Sequence, residues 1–338
     1  MSLISYVTRR ILAMIPILIG VLLLTFVLSL QLPGSPFNQE GTKINYVTAG
    51  IAEDALGLNE PIYIQLWMYL GRILQGDWGN SISLAEGIPV WTYIWQKAPL
   101  TIELAVLSQI FAISIGIRAG VFSSVNKNNP KDTIVRFIAL LGVSIPIFWL
   151  GMVLKYLFAL ELSLFPTIHG ISPYYNIALI KVTGFHTIDS ILMGRFDILL
   201  DIIWHMILPV FCLAFVGLAS ITRQTRSSML EVLELDYIRS ARAKGCKEKD
   251  VINKHALKNA MIPTITIIGI RIGGLLGGAV LTETTFALDG FGSLMIGAIQ
   301  NRDYFVINAL VLLTTGIFMT ANLVSDILYG IMDPRIRY

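Results

Sequence analysis

Cysteine and charge are both scarce in this 338-residue chain: it has 2 cysteines, and only 14% of its residues are charged. Soluble domains usually carry about 25% charged residues. Cys212 falls in an apolar stretch and Cys246 in a polar one, so neither a disulfide nor a zinc spacing is indicated. His169, His186, His205 and His255 form no HExxH or related metal pattern. The chain lacks a GxxxxGK[ST] phosphate loop, which excludes an ATPase site of its own, and no nucleophile–base pair supports an enzyme reading. No cofactor signature, periodic repeat or low-complexity tract is found. The net charge of +3 is not gathered on a soluble basic module, so nucleic-acid binding is not indicated.

Apolar sequence is what the chain has in excess: 55% hydrophobic residues and a mean hydropathy of +0.71. Six windows, 11–31, 100–122, 134–160, 202–222, 264–282 and 307–330, reach the ~20 residues needed to cross a bilayer core. The sequence therefore predicts an all-α polytopic membrane protein with six transmembrane helices. The first window is followed by Gln31-Leu32-Pro33-Gly34 rather than a small-x-small cleavage site, and reads as an uncleaved span.

With the N-terminus inside, the inner segments hold Arg9 and Arg10, then Lys127, Lys131 and Arg136, then nine Lys and Arg from Arg223 to Lys258, then Arg335 and Arg337. The outer segments hold only Lys43, Arg72, Lys97, Lys181, Arg195 and Arg302. Arg118, Lys155 and Arg271 fall within windows. The positive-inside rule then places both termini in the cytoplasm of a multi-pass cell-membrane protein, and makes the net charge a topology signal.

The outer segment 32–98 opens on the turn cluster Pro33-Gly34-Ser35-Pro36. Ile62, Leu66, Tyr69, Leu70 and Ile73 then recur at helical spacing beside Tyr63 and Trp67, which predicts a helix lying in the membrane interface and ended by Gly76-Asp77-Trp78-Gly79. Trp91, Tyr93 and Trp95 precede the second window as an interfacial belt would, and anchoring to membrane lipid explains them without a further role. A second outer segment, 161–201, carries Pro166, His169, Pro173 and His186.

The inner loop is the most informative segment. Leu230, Leu233, Tyr237, Ile238 and Ala241 follow helical spacing, with Arg239, Arg242 and Lys244 opposite them. Gly245 ends that helix, a second run extends from Glu248 to Ala260 through Val251, Ile252, His255 and Leu257, and Pro263 marks re-entry to the membrane. A helix–Gly–helix unit with one apolar and one basic side suits a lever that engages a soluble partner. The plain alternative is a surface hairpin that only obeys the positive-inside rule.

The order of residues resembles the cytoplasmic EAA loop of ABC importer permeases, in the branch that moves dipeptides, oligopeptides and nickel. The family's Glu-Ala-Ala triplet falls on Arg239-Ser240-Ala241, keeping only the last Ala, with the fixed glycine at Gly245. The downstream Ile-x-Leu-Pro falls on His255-Ala256-Leu257-Lys258, with proline displaced to Pro263. Both departures match the peptide branch, as do the runs from Ala241 to Gly245 and from His255 to Ala260. Thr8-Arg9-Arg10-Ile11, Gly76-Asp77-Trp78-Gly79, Pro99 to Leu104, Ser144 to Trp149, Leu281 to Thr284 and Asp333 to Arg337 extend the likeness over nearly the whole chain. It is most similar to the first of the two permease subunits of dipeptide systems.

The resemblance implies the type I ABC importer permease fold, divided into 1–94 (first span and outer loop), 95–330 (permease domain, with the EAA loop at 225–263) and 331–338 (cytoplasmic tail). It implies a second homologous permease, two cytoplasmic ATPase subunits that bind ATP and Mg, and an extracytoplasmic substrate-binding protein. Tyr237, Arg239, Ser240, Ala241, Arg242, Ala243, Lys244, Gly245 and His255 would couple to an ATPase. Cargo in this branch includes di- and oligopeptides, nickel, glutathione and oligosaccharides.

Candidate path residues are Arg271, Gly273, Gly274 and Glu283. The glycines allow close helix approach or local unwinding. A cation within a span is a functional hypothesis by default. Arg271 could line an aqueous path, pair inside the bundle with Glu283 or Asp326, or snorkel to the inner interface. A stand-alone secondary transporter would need coupling acids and inverted repeats, and a membrane-embedded enzyme a catalytic pair within a span; neither pattern stands out.

The orientation has a direct check. In a Cys-free background, single cysteines at Asn45 and Asn176 react with an impermeant thiol reagent from outside, and one at Asn128 does not. Labelling at Asn128 with protection at Asn45 reverses the topology.

Overall fold

A backbone in hydrocarbon has no water to bond with, so apolar runs of this length are confined to helix. The computed structural model describes residues 3–30 and 60–332, and among these the chain is helical, with one isolated bridge between Asn80 and Pro89. The Pro33–Pro36 turn cluster and the tail from Asp333 lie outside the described residues.

Four long helices, α1 (Leu3–Leu30), α3 (Val90–Val125), α8 (Phe196–Leu233) and α13 (Tyr304–Met332), contain segments long and apolar enough to cross a bilayer. The window 134–160 is not one straight span. It forms α4 (Pro130–Ser144) and α5 (Ile147–Leu154), the latter prolonged by a π-helical stretch, Lys155–Glu161, and the two parts are bent by 107°. The bend falls at Ile145-Pro146. A residue before proline is driven out of the helical region, and Ile145 is extended, at φ −84 and ψ 126.

The fifth window, 264–282, lies in α11 (Leu257–Thr285), which starts earlier than expected and holds Pro263 inside it. At ~1.5 Å per residue this helix is ~43 Å long, enough to cross the ~30 Å core. The second helical run therefore does not end at Ala260 as expected, but continues through Pro263 into the apolar window. Beside it, Thr264 Oγ1 donates to Ala260 O at 3.3 Å and supports the stretch that the proline interrupts.

The bundle is organised around α8, which packs on α3, α4, α5 and α11. Small residues set the spacing: a Cβ on Gly120 would lie 2.6 Å from the Thr225 Cβ, and one on Gly142 2.6 Å from the Ala219 Cβ. Such close approach is how helices associate where lipid removes the hydrophobic drive. A helix is observed over the stretch where the interfacial helix is expected, α2 (Ile62–Leu74). Its Tyr69 is buried and stacks on Phe26 at 5.5 Å, with Leu66, Leu70 and Ile73 on the same face, while Trp67 and Tyr63 are exposed. Ile62, expected on the packed face, is exposed, as the first residue of its helix.

The outer segments are fastened by short elements: α6 (Pro173–Ala178), α7 (His186–Leu192) and α12 (Phe291–Gln300). Asp303, in the turn between α12 and α13, is fully buried. Its Oδ2 accepts from Ser81 Oγ at 2.6 Å and from the N–H groups of Ile82, Ser83 and Leu84 at 3.0 to 3.3 Å. Removing such an acceptor strands several donors, at about 1–3 kcal/mol for each buried group. Asp303→Ala should lower the melting temperature of the detergent-solubilised chain by several degrees, and Asp303→Asn by less. Equal melting of Asp303→Ala and the parent protein would falsify the tie.

Candidate functional site

The inner loop is a compact unit seated on the bundle. The first helical run breaks where the sequence predicted continuity. α8 ends at Leu233, Glu234 and Leu235 close it with i to i−3 bonds, and α9 (Asp236–Ala243) starts anew after an extended Leu235. The break turns Ile238 and Ala241 back against Met229 of α8, with Val121 of α3 beside them. Asp236 in the first turn suits the positive end of the new helix.

The end of α9 is a Schellman motif. Cys246 N–H donates to Ala241 O at 3.2 Å, Gly245 N–H donates to Arg242 O at 2.9 Å, and Gly245 sits at φ +78. A Cβ on Gly245 would meet nothing within 4 Å. Glycine is required here by backbone conformation rather than by space. Arg242 then clamps the turn through two hydrogen bonds to Glu248, at 3.1 and 2.7 Å, and these hold the Glu248 carboxyl below the usual range.

The second run is α10 (Glu248–Asp250) followed by a π-helical stretch, Val251–Ala256, which passes directly into α11. Val251, Ala256 and Ala260 are buried with Ile238 and Ala241. Tyr237 joins the two runs: Asn259 Nδ2 donates to its hydroxyl at 2.7 Å, and that hydroxyl donates to His255 O at 3.3 Å. Of the expected coupling residues, only Ala241 is buried. Tyr237, Arg239, Ser240, Arg242, Ala243, Lys244, Gly245 and His255 are all exposed. The His255 contribution visible in the fold is its carbonyl, not its ring.

The candidate path residues do not converge. Arg271, half-buried on α11, donates through Nη2 to Ser220 Oγ of α8. Asp326 instead pairs with Arg10 at 2.9 Å, joining the inner ends of α13 and α1. Glu283 is fully enclosed: Oε1 accepts from Thr101 Oγ1 at 2.7 Å and Oε2 from Gly292 N at 2.6 Å, at the start of α12. That carboxylate is used to tie α11 to α3 and α12, and it does not meet Arg271. Gly273 and Gly274 lie in α11; Gly274 is exposed, with nothing within 4 Å of a Cβ position. The close approach on this helix is made by Gly269, whose Cβ position lies 2.3 Å from the Ser325 Cβ. Lys155, also within the apolar windows, donates to Thr285 O at 3.0 Å and closes the outer end of α11.

Sequence reasoning missed Ser220, Asp303 and the pairing of Asp132 with Arg226 at 2.7 and 2.8 Å. Their partners lie far along the chain, and no local pattern announces them.

Comparison with known proteins identifies the family. Residues 112–338 match the family described as binding-protein-dependent transport system inner membrane component, and residues 3–105 match its N-terminal family. A dipeptide transport system permease protein, DppB, of Alkalihalophilus pseudofirmus is 43% identical over 99% of both chains. A di/tripeptide transport system permease protein of Pseudomonas aeruginosa is 40% identical over 99% of both, and a glutathione transport system permease protein, GsiC, of Escherichia coli is 36% identical over the same share. Among solved structures, a chain of the inward-facing MetNI methionine ABC transporter superposes with a TM-score of 0.54 at 15% identity. It covers 72% of this chain and 98% of that one, and shows the fold alone.

Proposed function

Since the chain belongs to the family of inner-membrane components of binding-protein-dependent transport systems, a multi-pass permease, we propose that it imports di- and oligopeptides as one half of an ATP-driven transporter. A second homologous permease completes the path, an extracytoplasmic binding protein delivers cargo, and two ATPase subunits dock on the cytoplasmic side, where both termini lie. ATP and Mg belong to those subunits.

The observation that carries this reading is the construction of the inner loop. α9 is fixed from below by Ile238 and Ala241 and is uncovered above. A short helix held on an apolar seat moves as a rigid lever, and its basic outer side gives register to a partner surface. The near full-length likeness to peptide permeases favours peptide cargo; the likeness to the glutathione permease keeps a γ-linked tripeptide within the same class.

Arg271, in this reading, lines the aqueous path beside the partner permease. Transport proceeds by alternating access, as a rigid-body shift biased by bound cargo outside and by ATP closure inside.

Two measurements test these roles. Gly245→Asp and Ala241→Asp should abolish uptake by displacing the ATPase subunits while the permease pair still assembles. Purified complexes of both variants that keep their ATPases and transport at the parent rate reduce the loop to a surface hairpin. For the path, uptake into vesicles reconstituted with the complete complex should change in rate or cargo preference with Arg271→Gln and fall further with Arg271→Leu. Unchanged rates and competition profiles for both substitutions, and for Arg271→Lys, remove the residue from the path.

A further inference from the structure

A cleft of about 510 Å³ opens between α4 and α8, and neither Arg271 nor the coupling helix lines it. Its polar end is formed by Arg136 of α4 and by Arg223 and Arg226 of α8, with Thr133 and Ser227 beside them. Its other end is apolar, built on Phe137 and Leu140, which are 59% and 61% exposed. Three guanidinium groups line the cleft, and the carboxylate that Arg226 and Arg136 reach, Asp132, is committed. It is fully buried, receives Arg226 Nε and Nη2 at 2.7 and 2.8 Å, and also accepts from Ser123 Oγ and from Asn128 N. Arg226 is thereby held rigid at the cleft's base. Arg136 and Arg223 are exposed, and Arg136 reaches Asp132 only at 3.9 Å.

The depth of the cleft in the bundle is fixed by the helix ends. Arg136 lies within the first two turns of α4, and Ser123, on its wall, within the last turn of α3. The polar end is therefore at the membrane edge, on the side where Lys127 pairs with Glu234 at 3.1 Å next to the coupling segment. The apolar end runs toward the hydrocarbon. Two exposed cations at headgroup level, only one of them within ion-pair distance of an already committed carboxylate, over a groove of exposed Phe and Leu, match a ligand with an anionic head and a long apolar tail. Basic pockets between membrane helices recognise such headgroups, and guanidinium groups suit phosphate through paired donors.

We propose that this cleft seats the phosphate of an anionic phospholipid, with an acyl chain lying along Phe137 and Leu140. A free phosphate ion would use the same guanidinium groups but would leave the apolar wall unfilled. The inference rests on the cleft alone and not on the cargo or the ATPase partners, so its failure leaves the proposed function standing.

The test uses the full chain in phosphatidylcholine nanodiscs doped with a photoactivatable phosphatidylglycerol, with cross-linked peptides mapped after irradiation. Labelling is expected in α4 and α8 around the cleft. At ~1 kcal/mol for each basic residue near a surface, the double variant Arg136→Gln/Arg223→Gln should reduce it about 30-fold. Both side chains are exposed, and Arg226 is left to hold Asp132, so the double variant should melt with the parent protein. Ser227→Glu, which adds a negative charge to the cleft, should give a similar loss and guards against a variant that misfolds. Equal labelling by a phosphatidylcholine probe overturns the proposal, as does undiminished labelling of both variants. Displacement of the lipid probe by excess inorganic phosphate, but not by chloride at equal ionic strength, assigns the site to free phosphate and overturns the lipid assignment.

Discussion

The structure depends on one constraint: every backbone N–H and C=O near the bilayer needs a partner inside the chain. Within the helices that condition is met by the helix itself. It becomes difficult where helices stop, and there the chain repeatedly places a buried carboxylate. Asp303 collects the amides of the 82–84 turn, Asp189 those of Thr183 and Gly184, Glu283 that of Gly292, and Asp201 that of Ser172. Asp132 does the same for Asn128 while holding Arg226. An ionised acceptor makes shorter and stronger bonds than a neutral one, so a single aspartate can fasten a loop that has little apolar surface to bury.

The same logic separates the parts of the molecule that are fixed from those left free. The segments around 82–84, 128, 172, 183–184 and 292 are pinned to helix ends by these carboxylates. The inner loop has no such anchor on its upper side. Its stability comes from a small apolar seat, its Schellman turn and the Arg242–Glu248 clamp. The clamp is exposed, and ion pairs of that kind contribute about 0–1 kcal/mol. Most of the loop's hold on the bundle is therefore the burial of Ile238, Ala241, Val251 and Ala256. A unit anchored from one side only can transmit displacement along α8 and α11, the two helices to which it is continuous or nearly so.

Local pattern carried much of this into the sequence. The apolar windows, the 62–74 helix with Tyr69 inward and the glycine after Ala243 could all be read because their causes lie within a few residues. The bend at Pro146 had a local cause too, but a proline inside an apolar window is equally compatible with a straight helix, and only packing decides. Pro263 misled in the opposite direction: the second helical run reads as ending before it, and the proline is carried inside α11. Glu283 and Arg271 were legible as unusual residues but not in their surroundings. The partners Thr101 and Ser220 are 182 and 51 residues away, brought close by the bundle rather than by any motif.

Arg271 shows how far one chain can satisfy its own chemistry. Placing a cation at the centre of a membrane helix costs roughly 2.5–3.5 kcal/mol on insertion scales, and more on an isolated helix in simulation. The bond to Ser220 returns about 1.5–3 kcal/mol as a hydrogen bond to a charged group, and it satisfies one of the guanidinium's five N–H donors. The two acids considered as its counter-charges are occupied, Asp326 by Arg10 and Glu283 by Thr101 and Gly292. On the proposed reading, water or a group of the second permease makes up the shortfall, and that is the physical ground for proposing Arg271 as a path residue.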